Sequence, residues 1–152
     1  MFSMMTGRTP PEAKWTNKKF IDRQGFRFLW QDFADEGYRT LLIEDVPVIS
    51  MFKFAQKGFL DQPFHYYARA LEMAKHQHSK IFTKGGVCLG GIPNYELTLR
   101  HLTDFSRLFR GKPHFGFLWM TKSTHDDPNG GSKVVYGFIG FHVSLNVPNM
   151  LL

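Results

Sequence analysis

Two apolar runs in this chain end abruptly on polar or acidic residues. Phe115 to Met120 passes through Thr121, Lys122, Ser123 and Thr124 to His125, Asp126 and Asp127; Thr40 to Ile43 gives way to Glu44 and Asp45. Short continuous apolar runs fit strands of a parallel sheet, which are covered on both faces. A helical pattern precedes each run. Within residues 27–45, Phe28, Leu29, Trp30 and Phe33 form an apolar face, and Gly37 suits the left-handed residue that closes a helix. A longer helix is predicted from Asn94 to Arg110, with Tyr95, Leu99, Leu102, Phe105 and Phe109 as its apolar stripe. Arg100, Asp104 and Arg107 fall on its opposite side as a solvated charged face. Gly111 closes this helix and Pro113 prevents its continuation.

Between these units, Pro63 to Lys80 reads as another helix, with Tyr67, Leu71 and Ala74 on one side. Nearer the start, Thr9-Pro10-Pro11-Glu12 has the signature of a helix N-terminus: a hydroxyl cap, a proline suited to the first turn, and a glutamate able to reach back. Gly85-Gly86 and Gly90-Gly91 mark a loop around Cys88, without the GxGxxG or Walker pattern of a phosphate cradle. Strands alternating with helices predict an α/β fold with a mostly parallel sheet. Only two strands are clear, too few to cover this many apolar residues. The sheet is therefore expected to be incomplete, with unpaired edges and apolar faces that could drive self-association.

Composition changes this picture little. The chain has 152 residues, enough for one domain, and 16 of them are Phe, enough for several core layers. A net charge of +6 permits anionic partners such as RNA or sulfated glycans. The basic residues are dispersed, however, and the aromatic residues occupy core-like periodic positions, so an ordinary solvated surface is the simpler reading. Nucleic acid is not the expected partner. A small basic module for anionic polymers is the alternative function, because aromatic rings could stack on bases. One cysteine, Cys88, rules out a disulfide framework or a cysteine-rich zinc site built within the chain. Residues 1–7 lack the basic start and apolar core of a signal peptide. Val134 to Val143 is apolar but shorter than the roughly 20 residues a membrane span needs.

Candidate chemistry concentrates after the last strand. In open α/β sheets, ligands sit beyond the carboxyl ends of the strands. His125 could ligate a metal or contact a substrate anion, and Asp126 could be a second ligand or orient the imidazole. Asp127-Pro128-Asn129-Gly130 would be the turn leaving the site. The same residues equally suit a polar loop whose Asp and Asn serve turn chemistry alone. Glu44 and Asp45 would join His125 if the two strands are neighbours; otherwise they open a loop toward Pro47. His65, His76 and His78 do not share a helical face and make a poor zinc site. No GxSxG elbow is present, so a serine hydrolase has no support.

Several stretches carry a family resemblance: FSMMTG (2–7), FLWQDFADEGYRTLLIEDV (28–46), KGFLDQPFHYYARA (57–70), CLGGIPNYEL (88–97) and KPHFGFLWMTKSTHDDPNG (112–130). The chain resembles an interior segment of a family of animal proteins with a sulfatase-like, alkaline-phosphatase-superfamily domain, long catalogued as a domain of unknown function. That resemblance implies a partial α/β/α sandwich over residues 1–131, followed by a divergent apolar tail over 132–152. It implies hydrolysis of small sulfate or phosphate esters with a divalent metal, zinc or calcium. Only the His-Asp-Asp loop carries over to a site, assigning His125 and Asp126 as catalytic and metal-binding residues. The family's Asp-Ser nucleophile motif would lie before residue 1, and its Ser-Asp-His-Gly motif would follow residue 131, where this chain reads SKVVYGFIGFHVSLNVPNMLL. The chain also departs at Phe64-His65 and Ala70, where the family tends to carry Thr-Asp and Pro. The implied state is a fragment without activity of its own. The family looks secretory, although residues 1–7 are no export signal.

Overall fold

In a computed structural model, the described residues are 2–14, 16, 19–49, 51–53, 56–77, 88, 89, 91–122, 125, 129, 131 and 132. The elements run α1 (Phe2–Thr6), α2 (Leu29–Asp35), β1 (Arg39–Glu44), β2 (Tyr66–Tyr67), α3 (Arg69–Gln77), β3 (Cys88–Leu89), β4 (Ile92–Pro93), α4 (Asn94–Leu108) and β5 (His114–Trp119), with single 3-10 turns at Ile21–Arg23 and Pro47–Ile49.

The sheet has three strands in the order β2-β1-β5, and both pairings are parallel. Leu41, Leu42 and Ile43 of the central strand are buried on both faces, which is why this segment is continuously apolar. Leu42 points into a cluster with Phe2, Met5, Ile21, Phe28, Trp30, Phe52 and Phe64. Leu41 and Ile43 point the other way, toward Ala68 and Phe105. Helices therefore cover both sides, giving a partial α/β/α arrangement. Among the described residues, neither outer edge carries a further strand, as the small number of legible strands predicted.

The unit over 27–45 forms as expected. The Gln31 carboxamide accepts from the Phe28 amide at 2.9 Å and secures the start of α2. At its end, Gly37 has φ of 83°, and the Gly37 and Tyr38 amides donate to Ala34 and Phe33 carbonyls. That is the reciprocal closure a left-handed glycine permits. α4 also matches its stripe: Leu99 and Phe105 are buried, and Arg107 pairs with Asp104 on the outer face. Arg100 pairs instead with Glu96, one turn earlier, at 2.6 Å.

Other elements differ from expectation. The predicted helix over 63–80 begins only at Arg69, because Tyr66 and Tyr67 pair with Leu41 and Leu42 as β2. Leu71 is exposed, and the inner face carries Glu72, 2% exposed, bridged to Lys75 at 2.6 Å. The Thr9–Glu12 capping interaction is made, with both the Thr9 amide and its hydroxyl donating to Glu12. It closes only a single turn, which ends where Lys14 turns left-handed at φ of 51°. Around Cys88, β3 and β4 form a tight antiparallel hairpin that turns at Gly91. Among the described residues, no helix is long and apolar enough to cross a membrane.

Candidate functional site at the carboxyl rim

β1 and β5 are adjacent and in register along their whole length, from Arg39 opposite His114 to Glu44 opposite Trp119. Their carboxyl ends therefore finish together, and Asp45, the acid after β1, meets the polar segment after β5. Asp45 makes the junction. Its amide donates to the Trp119 carbonyl at 3.3 Å, continuing the ladder by one step. Its carboxylate then accepts from the Thr121 amide at 2.8 Å, the Thr121 hydroxyl at 3.3 Å and the Lys122 amide at 3.0 Å. A carboxylate accepting several donors at once is a strong fixture, since hydrogen bonds to charged groups are roughly twice as strong as neutral ones. Thr121 passes the constraint onward: its carbonyl accepts from the His125 amide at 2.8 Å. His125 thus stands one turn beyond β5, exposed, on a loop whose origin Asp45 holds.

Glu44 lies beside this junction and is 3% exposed. Its carboxylate accepts from the Met51 amide at 2.6 Å and from the Tyr67 hydroxyl at 3.2 Å. Tyr67 is the last residue of β2, so all three strands contribute to the rim. Arg69 adds positive charge nearby while donating to the Pro47 carbonyl at 2.5 Å. Burial pushes the Tyr67 phenol well above its usual range, and the adjacent Glu44 carboxylate adds to the rise. The two strands are neighbours, and the two acids part company. Asp45 meets the segment leading to His125 through Thr121 and Lys122, whereas Glu44 braces the loop through Met51.

Burial raises the Glu44 carboxyl above its ordinary 4.5; the Met51 amide, the Tyr67 hydroxyl and Arg69 oppose that rise, and Asp45 reinforces it. A carboxyl raised by folding binds its proton more readily in the native state. Its contribution is fully present below the unfolded value of 4.5 and is lost as pH rises through the folded value. Glu44→Gln keeps an acceptor for Met51 but does not titrate. Urea midpoints should therefore fall less between pH 4.5 and neutrality in the variant than in the parent chain. Part of the fall should persist, because burial raises Glu72 in the same direction. Identical pH slopes in the two proteins would contradict this assignment.

Of the predicted site residues, the structure places His125 at the rim; Asp126 and Asp127 lie outside the described residues. The scattered histidines do not join it. Through Nδ1, His65 pairs with the Thr40 amide and hydroxyl at 3.2 and 3.0 Å, and its own amide donates to the Thr40 hydroxyl. That clamp sits near the start of β1, at the opposite end from Glu44. His76 is exposed on α3, and His78 lies outside the described residues. Tyr67, Arg69 and Thr121 are rim residues that sequence reasoning missed. The signal for the first two was the strand-to-helix junction hidden in HYYAR, which requires knowing that β2 pairs with β1.

The described residues do not by themselves form a metal cage. Among them, no three His, Cys, Asp or Glu side chains converge. Both Asp45 oxygens and both Glu44 oxygens already accept hydrogen bonds from the protein.

The family model described as "Protein of unknown function (DUF229)" matches residues 1–147, and the chain belongs to that family. No curated protein and no solved structure matches it.

Proposed function

We propose that this member of the DUF229 family supplies one wall of the anion-holding cleft of a sulfatase-like or phosphatase-like, metal-dependent ester hydrolase, and that the chain turns over no ester by itself. The in-register carboxyl ends of β1 and β5 support this reading most directly, because Asp45 holds the segment that carries His125 past the rim of a parallel sheet. This is the position where such sheets gather ligands. On this reading His125 and Asp126 are ligands for a zinc or calcium ion. A divalent metal in such a cleft stabilises charge on the transferring group and activates an oxygen nucleophile. The chain's own contribution is positional: Asp45 fixes the strand exit, and Glu44 fixes the loop through Met51.

Two features support the inactive reading: the carboxylates of Glu44 and Asp45 already accept hydrogen bonds from the protein, and one loop cannot surround a metal. Purified chain incubated with aryl sulfates or aryl phosphates and zinc or calcium should show no turnover above buffer. Metal-dependent turnover abolished by His125→Ala would overturn that part. Zinc titration followed by amide shifts tests the ligand assignment separately. His125 and its neighbours should move first, and His125→Ala should remove those shifts. Zinc shifts confined to other histidines would dismiss the ligand role.

The alternative of a stacking module for RNA or sulfated glycans has less support. Phe28, Trp30, Phe52 and Phe64 are buried, so these rings are not available to bases or sugars. Binding to heparin or RNA that falls steeply with salt would revive it.

A further inference from the structure

We propose that a cavity beside the carboxyl end of β2 binds the phosphate or sulfate group of a small soluble molecule. The cavity has a volume of about 300 Å3 and is lined in part by Lys53, Lys57, Arg69, Tyr67, Asp61 and Gln62. Space of that size suits a ligand no larger than a single sugar ester, at the low end of the range for small-molecule sites.

Charge selects the ligand. Three cationic side chains share the lining with one carboxylate, and that carboxylate, Asp61, is already paired with Arg23 at 2.5 Å. Lys57 rests over the Phe20 ring, 5.6 Å from its centroid, and among the described residues it makes no ion pair with an acid. Among the described residues, Lys53 makes no ion pair. Arg69 donates to the Pro47 carbonyl through one nitrogen, and a guanidinium carries five N–H donors in all. A tetrahedral oxyanion, with several acceptor oxygens and one or two negative charges, is the chemistry that such a lining recognises.

The cavity also abuts the rim. The Tyr67 ring lines it, while the Tyr67 hydroxyl donates to Glu44 at 3.2 Å. An oxyanion bound there would lie one side chain from the proposed cleft and would be a second anionic group of the ester, not the one cleaved. The inference rests on the hydrolase reading for that role, and on the cavity alone for binding.

The test uses the full chain with a chelator present at constant ionic strength. Inorganic phosphate, inorganic sulfate and glucose 6-phosphate are titrated and followed by amide shifts. Saturable shifts are expected around Lys53, Gly58 and Arg69. Lys53→Gln with Lys57→Gln should weaken binding at least about tenfold, equivalent to the loss of one charge-assisted contact. Arg100→Gln with Arg107→Gln removes the same charge from the outer face of α4 and should leave binding unchanged. Circular dichroism verifies folding, and the single exposed Lys53→Gln serves if the double variant does not fold. Equal weakening by both pairs, or no saturable binding, would overturn the proposal. Binding only to vesicles containing phosphatidic acid would also overturn it, by assigning the patch to a lipid surface. Binding that requires zinc would place the anion at His125, refuting the cavity site while sparing the hydrolase reading. Zinc shifts that bypass His125, with phosphate still in the cavity, would do the reverse.

Discussion

Replacing Trp30 with Ala should lower stability by about 3–5 kcal/mol, the usual loss for truncating a large buried aromatic. Trp30 is 2% exposed and occupies the middle of the aromatic layer beneath β1. It stacks on Phe28 at 4.4 Å between centroids and on Phe64 at 4.7 Å, and meets Phe59 edge-on at 5.9 Å. Such pairs add stabilisation beyond their buried area, so the loss includes ring-on-ring geometry as well as hydrophobic transfer. The cavity left behind could not collapse easily, because its walls are four aromatic rings from two separate segments: Phe28 before α2, and Phe52, Phe59 and Phe64 in the connection from β1 to β2. For a domain of this size the melting temperature should fall by on the order of 10 °C. Trp30→Phe keeps one ring between Phe28 and Phe64 and should lose clearly less. Thermal melts followed by circular dichroism would decide the matter. A loss below about 1 kcal/mol for Trp30→Ala would mean that this layer does not bear on the fold as described.

The parts of the fold legible in the sequence are those fixed by local chemistry. β1 and β5 were readable because both are uninterrupted apolar runs that stop on polar residues; β1 is covered on both faces, and the acids that end its run, Glu44 and Asp45, are themselves buried and hydrogen-bonded. α4 was readable because 15 residues give its stripe four turns in which to repeat. β2 was not. Two residues carry no period, and Tyr66 and Tyr67 become a strand only because β1 offers them a ladder. With those residues taken for helix, the predicted apolar face of α3 fell on the wrong side. The buried Glu72–Lys75 pair defeats the pattern further, since polar residues there occupy a covered position.

The candidate site divides the same way. His125 could be located from the end of a strand alone. The bond between Asp45 and Thr121 spans 76 positions and depends on which strands are neighbours, which neither run reveals. Likewise Lys53, Lys57 and Arg69 are unremarkable surface cations in sequence. They acquire meaning only when the connection from β1 folds back beside β2.

Asp45→Asn should release the segment after β5 without unfolding the sheet. The parent carboxylate serves three donors, two of them backbone amides. An asparagine retains one carbonyl oxygen, but its amide would face the Lys122 N–H, donor against donor. The expected loss is about 2–3 kcal/mol, the range for hydrogen bonds to a charged acceptor plus the penalty of a poorly satisfied amide. Because the loss concentrates at one junction, local opening should dominate. Amide exchange at Thr121, Lys122 and His125 should quicken on the order of a hundredfold. Leu41, Leu42 and Ile43 should quicken less, since their ladders and core contacts remain. If His125 is a ligand, its zinc-induced shifts should weaken together with this release, although Asp45 never touches the metal. Thr121→Val provides the control: it deletes the hydroxyl that reaches Asp45 at 3.3 Å while keeping the 2.8 Å amide bond, and should produce a much smaller change. Uniform acceleration across β1 and the loop would show that Asp45 supports the whole sheet. Unchanged exchange at Thr121 and Lys122 would show that the strand exit is held by something other than Asp45, and the structural basis for placing His125 at the rim would go with it.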